Sequence, residues 1–229
     1  MNTRKLNVIS LIINLTVVIV TAYSVAHNFR TDIVRNPQTV NGAILTDFTG
    51  LKSFRYFTTL SNAFAAIASA IVLFLNIRNV IKDRYEFPKW ALIIKYVATC
   101  AVALTFTTVA LFLSPTILSY GESYFTLFSG NGFFMHFLLP ALSILNFIFF
   151  EKKPKLRFTY AFYALIPTVA YAVVYAVMVT VLKAWPDFYS FAPTGNGALL
   201  PLVAVFMCAL SFFVSAFLFF IRKKVGLRI

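Results

Sequence analysis

Six separate stretches of this chain stay apolar for about the length a helix needs to cross a lipid bilayer. They cover roughly residues 6–26, 54–77, 90–113, 133–150, 159–182 and 198–221. A bilayer core about 30 Å thick takes about 20 helical residues to span. Lipid offers no partner to an open backbone, so only helices and closed barrels can cross it. A barrel would show short alternating segments, whereas these runs are continuous. The sequence therefore predicts an all-α fold, one six-helix transmembrane domain over residues 1–229. Composition agrees, with 60% hydrophobic and 12% charged residues. That is about half the charged share of a soluble domain, which excludes both a soluble globule and a disordered chain.

The first run has a basic start (Arg4, Lys5) and a small-residue tripeptide, Ser24-Val25-Ala26. Its apolar core exceeds the 7–15 residues of a signal peptide, so it reads as a retained helix. The net charge of +13 would by itself suggest a nucleic-acid partner. The placement of the basic residues argues otherwise. Fourteen flank the spans on one side: Arg4 and Lys5; Arg78, Lys82, Arg84 and Lys89; Lys152, Lys153, Lys155 and Arg157; Arg222, Lys223, Lys224 and Arg228. Only five lie on the other, namely Arg30, Arg35, Lys52, Arg55 and Lys183. The positive-inside rule puts both termini in the cytoplasm. The charge then marks topology and contact with anionic membrane lipids, not nucleic acid. Lys95, one turn inside the third span, is expected to snorkel back to the basic side.

The connections on the basic side are short. Of the opposite ones, His27–Ser53 is long enough to fold over the bundle mouth, and Ser114–Gly132 carries Glu122 as its only charge. The third holds an aromatic string, Trp185-Pro186-Asp187-Phe188-Tyr189-Ser190-Phe191, suited to the membrane interface. Cys100 and Cys208 sit in apolar runs and read as inert buried thiols. His27 and His136 lack companion ligands and no Gly-rich phosphate loop occurs, so neither a metal nor another cofactor is implied. The two halves of the chain show no residue-level echo of the inverted repeat common in transporters.

Polar residues within spans are costly in lipid and usually face the bundle interior. Thr58, Ser61 and Asn62 share one face of the second span, which continues into Ala65, Ala66 and Ser69. The fourth span carries His136, Pro140, Ser143 and Asn146 on a similar stripe. Thr58 and His136 each lie roughly one turn, about 5–6 Å, below the boundary opposite the basic side, so hydroxyl and imidazole can meet. Thr105, Thr107 and Thr108, with Tyr171 and Tyr175, add polar groups in the middle and in that same outer half. The basic half is poorer in them, which predicts a site open toward the outer leaflet. Each residue also has a structural reading. Membrane Ser and Thr commonly bond their own helix carbonyls, a His near a helix start commonly serves as an interfacial hydrogen-bonder, and a Tyr pair packs.

The segment Arg55-Tyr56-Phe57-Thr58-Thr59-Leu60-Ser61-Asn62, together with Met135-His136-Phe137-Leu138-Leu139-Pro140, resembles the androgen-induced-gene and androgen-dependent TFPI-regulating proteins. It is closer to their bacterial six-span relatives, the "Pr-six-Pr" membrane proteins, in which Tyr-Phe-Thr-x-x-Ser-Asn and His-x-x-x-Pro segments recur. The animal members are intramembrane threonine hydrolases that cleave fatty acid esters of hydroxy fatty acids. The resemblance thus implies a Thr58 nucleophile, a His136 general base, a lipid-ester substrate and a bacterial plasma membrane. Thr59, about 100° round the helix, competes with Thr58, and the family register alone chooses between them. Asn62, Ser61 and Asn131 are candidate oxyanion donors, with Tyr171 and Tyr175 as candidate substrate contacts. Asn146 stands where bacterial relatives can carry Asp, and Ser61-Asn62 follows the bacterial pattern. Two other classes stay open: a non-catalytic lipid-binding or scaffolding protein, and a small transporter, which would be expected to carry a mid-span carboxylate.

Overall fold

The computed structural model describes residues 3–30, 38–40, 43–45, 50–151, 154–189, 191 and 197–226. Arg35, Lys152, Lys153, Ser190 and Arg228 lie outside the described residues, as does most of the first long connection. Six helices are long and apolar enough to cross a membrane, and the chain is an integral membrane protein. They are α1 (Thr3–Arg30), α2 (Phe57–Ile81), α3 (Lys89–Ser119), α4 (Asn131–Phe149), α5 (Phe158–Val181) and α6 (Leu200–Gly226). In the first connection Gln38–Val40 pairs antiparallel with Ala43–Leu45, and a short 3-10 turn, Gly50–Arg55, leads into α2. Most boundaries shift by a few residues from the sequence reading, and two of the shifts bear on the site. The third helix continues to Ser119, and the fourth begins at Asn131, which places Gly132 inside a span.

The centre of the bundle is α3. It packs against α2, α4, α6 and the start of α5. From Lys95 to Thr105 it is buried without a break, and small residues (Ala98, Cys100, Ala101, Ala103) let its neighbours approach closely. By contrast α5 and α6 expose large apolar side chains, among them Ile166, Val173, Leu202 and Phe213, to the lipid side.

A polar seam joins α1 to α2. Along α1, Asn7, Ser10, Asn14, Val17, Thr21, Ser24 and Asn28 recur at alternating steps of three and four, and none is more than 5% exposed. The same steps run along α2 through Thr58, Asn62, Ala65, Ser69, Val72, Asn76 and Asn79, all buried. A period of 3.5 residues is the repeat of left-handed helix pairs. Here it is written in small and polar side chains, because lipid gives apolar ones no reason to leave the outside. The opposite face of α1 is correspondingly apolar, with Val8, Ile12, Leu15 and Ile19 exposed.

The seam corrects two expectations. Lys95 does not snorkel to the basic end. It is 1% exposed, and its ammonium donates to Asn14 Oδ1 at 2.8 Å and Ser69 Oγ at 2.6 Å. Ser69 lies midway along α2, so the charge points into the bundle, drawn by two acceptors that water at the surface would have to better. Nor is the basic half poor in polar groups. Asn14 Nδ2 donates to Glu151 Oε1 at 3.0 Å, and Asn146 donates to the same oxygen at 2.9 Å. Asn14 therefore bridges a buried ammonium to a buried carboxylate. Breaking a buried pair by removing one partner costs about 3–5 kcal/mol. Asn14→Leu removes the bridge, leaving Lys95 with Ser69 and Glu151 with Asn146, and is expected to destabilise by about 3 kcal/mol. Lys95→Met with Glu151→Gln should recover much of the loss that either single change produces. Thermal unfolding in mild detergent measures both.

Candidate functional site

Pro115 and Pro140 shape the outer half of the bundle. Each follows a π-helical turn, Val109–Leu113 in α3 and Phe134–Leu138 in α4. The amide of Ser114 reaches back to the Val109 carbonyl, and that of Leu139 to the Phe134 carbonyl, five residues away in each case. The next carbonyls, of Ala110 and Met135, would then need the amides of Pro115 and Pro140, which proline lacks. A carbonyl orphaned in lipid costs too much to leave open, and a side chain from elsewhere satisfies each. The Tyr124 hydroxyl donates to Ala110 O at 2.8 Å, and Asn62 Nδ2 donates to Met135 O at 3.0 Å.

This arrangement places the polar residues expected from sequence. Thr58 and His136 are each 7% exposed, and the head of α2 packs on the π turn of α4. His136 Nδ1 lies 2.6 Å from the Leu127 carbonyl. A carbonyl only accepts, so Nδ1 carries a proton, and in the neutral imidazole Nε2 keeps its lone pair. Leu127 belongs to the 3-10 turn Tyr124–Phe128, the one that Tyr124 pins to α3, and Phe128 meets the imidazole edge-on at 6.4 Å. Thr58 borders a largely apolar cleft of about 520 Å³ between α2, α3, α5 and α6, within the range of small-molecule sites. No hydrogen bond joins Thr58 to His136, and His136 is not among the residues lining the cleft. Thr59 is fully buried and does not line it either.

The remaining candidates are engaged. Asn62 spends both amide hydrogens, on the Thr58 and Met135 carbonyls. Ser61 bonds the Thr58 carbonyl at 3.0 Å and the Thr105 hydroxyl at 2.8 Å. Asn131 turns toward α1, donating to Ser24 O and Asn28 Oδ1. Tyr171 and Tyr175 do line the cleft, with hydroxyls given to Arg55 O at 2.7 Å and Asp187 Oδ1 at 2.5 Å. Thr168 bonds Ser211 at 3.0 Å, while the buried Thr108 hydroxyl has no partner among the described residues. Cys208 also borders the cleft.

The described residues of the aromatic string after α5 pack on the start of α2 and on the cleft. Phe188 packs against the buried Tyr56 with ring centroids 4.3 Å apart and the planes tilted by 45°. The Tyr189 hydroxyl accepts the Phe57 amide at 3.1 Å, and Tyr189 and Phe191 line the cleft. Burial pushes the Tyr189 phenol up to about 12, so it stays protonated at neutral pH.

Sequence reasoning missed Leu127, whose contribution is a backbone carbonyl, and Gly132, whose contribution is a missing atom. A Cβ at Gly132 would sit 2.3 Å from the Leu127 oxygen and 3.5 Å from His136 Nδ1. The signal available was a lone Gly four residues before a span His. Comparison with known protein families, with curated proteins and with solved structures found no match to this chain. Gly132→Ala is expected to push the Leu127 carbonyl off His136. Nitrogen chemical shifts of labelled His136 should then change from a single Nδ1–H tautomer to a mixture.

Proposed function

We propose that the chain is an intramembrane hydrolase of lipid esters, with Thr58 as nucleophile and His136 as general base. The observation that carries the reading is the setting of these two groups. The Thr58 side chain borders an apolar cleft suited to an acyl chain, and on the adjoining π turn a backbone carbonyl fixes the imidazole tautomer with Nε2 free to accept a proton. The resemblance of both segments to intramembrane threonine hydrolases points the same way, and fatty acid esters of hydroxy fatty acids or similar acyl esters are the substrate class it suggests. On this reading the basic end faces the cytoplasm of a bacterial cell.

Thr58 Oγ1 attacks the ester carbonyl carbon as its proton passes to His136 Nε2. The developing oxyanion meets the Thr58 and Thr59 amides in the first turn of α2, where Tyr56 supplies no side-chain cap and the Phe57 amide is taken by the Tyr189 hydroxyl. Collapse breaks the bond to the alkoxy oxygen, which takes the proton from Nε2 and leaves as the alcohol. Water, giving a proton to Nε2, then attacks the acyl carbon. The acid departs and the Thr58 hydroxyl is restored. Leu127 takes the orienting place that a carboxylate holds in a triad. Closing the dyad requires a side-chain movement that brings Nε2 to the hydroxyl when substrate fills the cleft.

A second reading, a lipid-binding protein without turnover, is favoured by the absence of His136 from the cleft wall. One experiment separates them: hydrolysis of lipid esters, and labelling by a hydrolase-directed probe, with the purified full chain. The hydrolase reading expects Thr58→Ala to abolish both, and His136→Ala to lower kcat by about 10²–10⁴-fold. Retained ligand with no turnover in the unaltered chain would establish the second reading.

A further inference from the structure

Negative charge forming on an ester beside Thr58 has to be met by neutral donors, since none of the residues lining the cleft is charged. The side-chain donors expected from sequence are committed to other partners: Asn62 to two carbonyls, Ser61 to Thr58 O and Thr105, Asn131 to α1. The Thr58 and Thr59 amides remain. Another polar group shares their end of α2 and lines the same cleft, the phenol of Tyr189.

Tyr189 is held in place from α5 and from its own connection. The Asp187 carboxylate accepts the Tyr175 hydroxyl at 2.5 Å and the Phe191 amide at 3.0 Å, and the Tyr189 amide donates to the Tyr175 oxygen at 3.3 Å. The Tyr189 ring stacks on Phe191 with centroids 5.0 Å apart and stands edge-on to Tyr56 at 6.3 Å. A donor fixed in this way needs no reorganisation when charge develops beside it, and that is the source of its effect on a reaction.

A phenol can both accept and donate. Tyr189 Oη spends its acceptor side on the Phe57 amide at 3.1 Å. The Tyr171 phenol lies beside it and gives its own hydrogen to the Arg55 carbonyl. The Tyr189 hydrogen is thus left for the neutral Tyr171 oxygen or for an oxygen in the cleft. A charged acceptor makes a bond roughly twice as strong as a neutral one, so an oxyanion outcompetes the Tyr171 phenol. Phe57 and Thr58 are successive residues of the first turn, which brings an oxygen bonded to Tyr189 close to the Thr58 amide as well.

We propose that the Tyr189 hydroxyl is the side-chain donor to the carbonyl oxygen of a lipid ester in the cleft, and so a third catalytic residue beside Thr58 and His136. Its catalytic part rests on the hydrolase reading, whereas its hold on the carbonyl applies to a bound ester with or without turnover. Donation requires the protonated phenol, and burial, which pushes that phenol up to about 12, keeps it protonated. The same oxygen caps the Phe57 amide, and ionisation separates the two roles: a phenolate accepts better and no longer donates.

Kinetics and binding with the purified full chain test the proposal. Tyr189→Phe keeps the ring and is expected to lower kcat for a long-chain ester about 10²-fold while KM rises only about fivefold. A ring-fluorinated tyrosine at position 189, close in shape and more acidic, should keep kcat near neutral pH and lose it at lower alkaline pH than the unaltered chain does. A group that only capped α2 would keep its activity there. In a Thr58→Ala background, where turnover plays no part, nonyl palmitate is expected to bind about fivefold tighter than the matching ether, and adding Tyr189→Phe should erase that preference. Full activity in Tyr189→Phe, or an alkaline limb that ignores the fluorine substituents, would overturn the proposal and leave the hydrolase reading in place. Equal binding of ester and ether would also overturn it. No turnover in the unaltered chain, with an ester preference that Tyr189→Phe erases, would remove the hydrolase reading and uphold Tyr189 as the donor to the carbonyl.

Discussion

An ammonium group held in the interior of a lipid-embedded bundle fixes how its neighbours must pack. Lys95 cannot remain charged there without acceptors, and its two acceptors come from different helices, Asn14 on α1 and Ser69 on α2. Asn14 in turn must face Glu151, which ties the end of α4 to the same point. Four helices are thereby keyed to one another by charge and hydrogen bonding, where lipid supplies no hydrophobic force between helices. The small-residue seam of α1 and α2 brings the backbones close enough for these short side chains to reach.

The outer half is organised by a different rule, the demand that no carbonyl stay open in lipid. Two prolines break the helical ladder in the same way, and two side chains repair it. One repair, by Asn62, holds α2 against the turn that carries His136. The other, by Tyr124, holds the connecting turn whose Leu127 carbonyl orients His136. The residues that arrange the candidate site are thus backbone-menders first, which is why Asn62 has no amide hydrogen to spare.

The six spans were legible because span length and continuity depend on the bilayer alone. Thr58 stood out for the same reason, as a hydroxyl on a stripe facing inward, and that stripe is buried. Lys95 was misjudged because snorkelling depends on what lies at the other end of the stem, and Asn14 is 81 positions away in sequence. The seam of α1 was in plain view as Asn7, Ser10, Asn14, Thr21, Ser24 and Asn28 at a 3.5 period. It was overlooked because a run of high mean hydropathy hides a polar minority. Gly132 and Leu127 act through a missing Cβ and a main-chain oxygen, and neither leaves a compositional trace.

The polar seam has a consequence for synthesis of the chain. As it leaves the ribosome, α1 is apolar enough to partition into the bilayer, yet one side of it carries Asn, Ser and Thr from end to end. The long connection before α2 must be made before the partner face exists. During that interval the first helix has nowhere in lipid to hide its polar side. It is therefore expected to linger at the insertion machinery, or against a chaperoning helix there, until α2 arrives and the two leave as a hairpin.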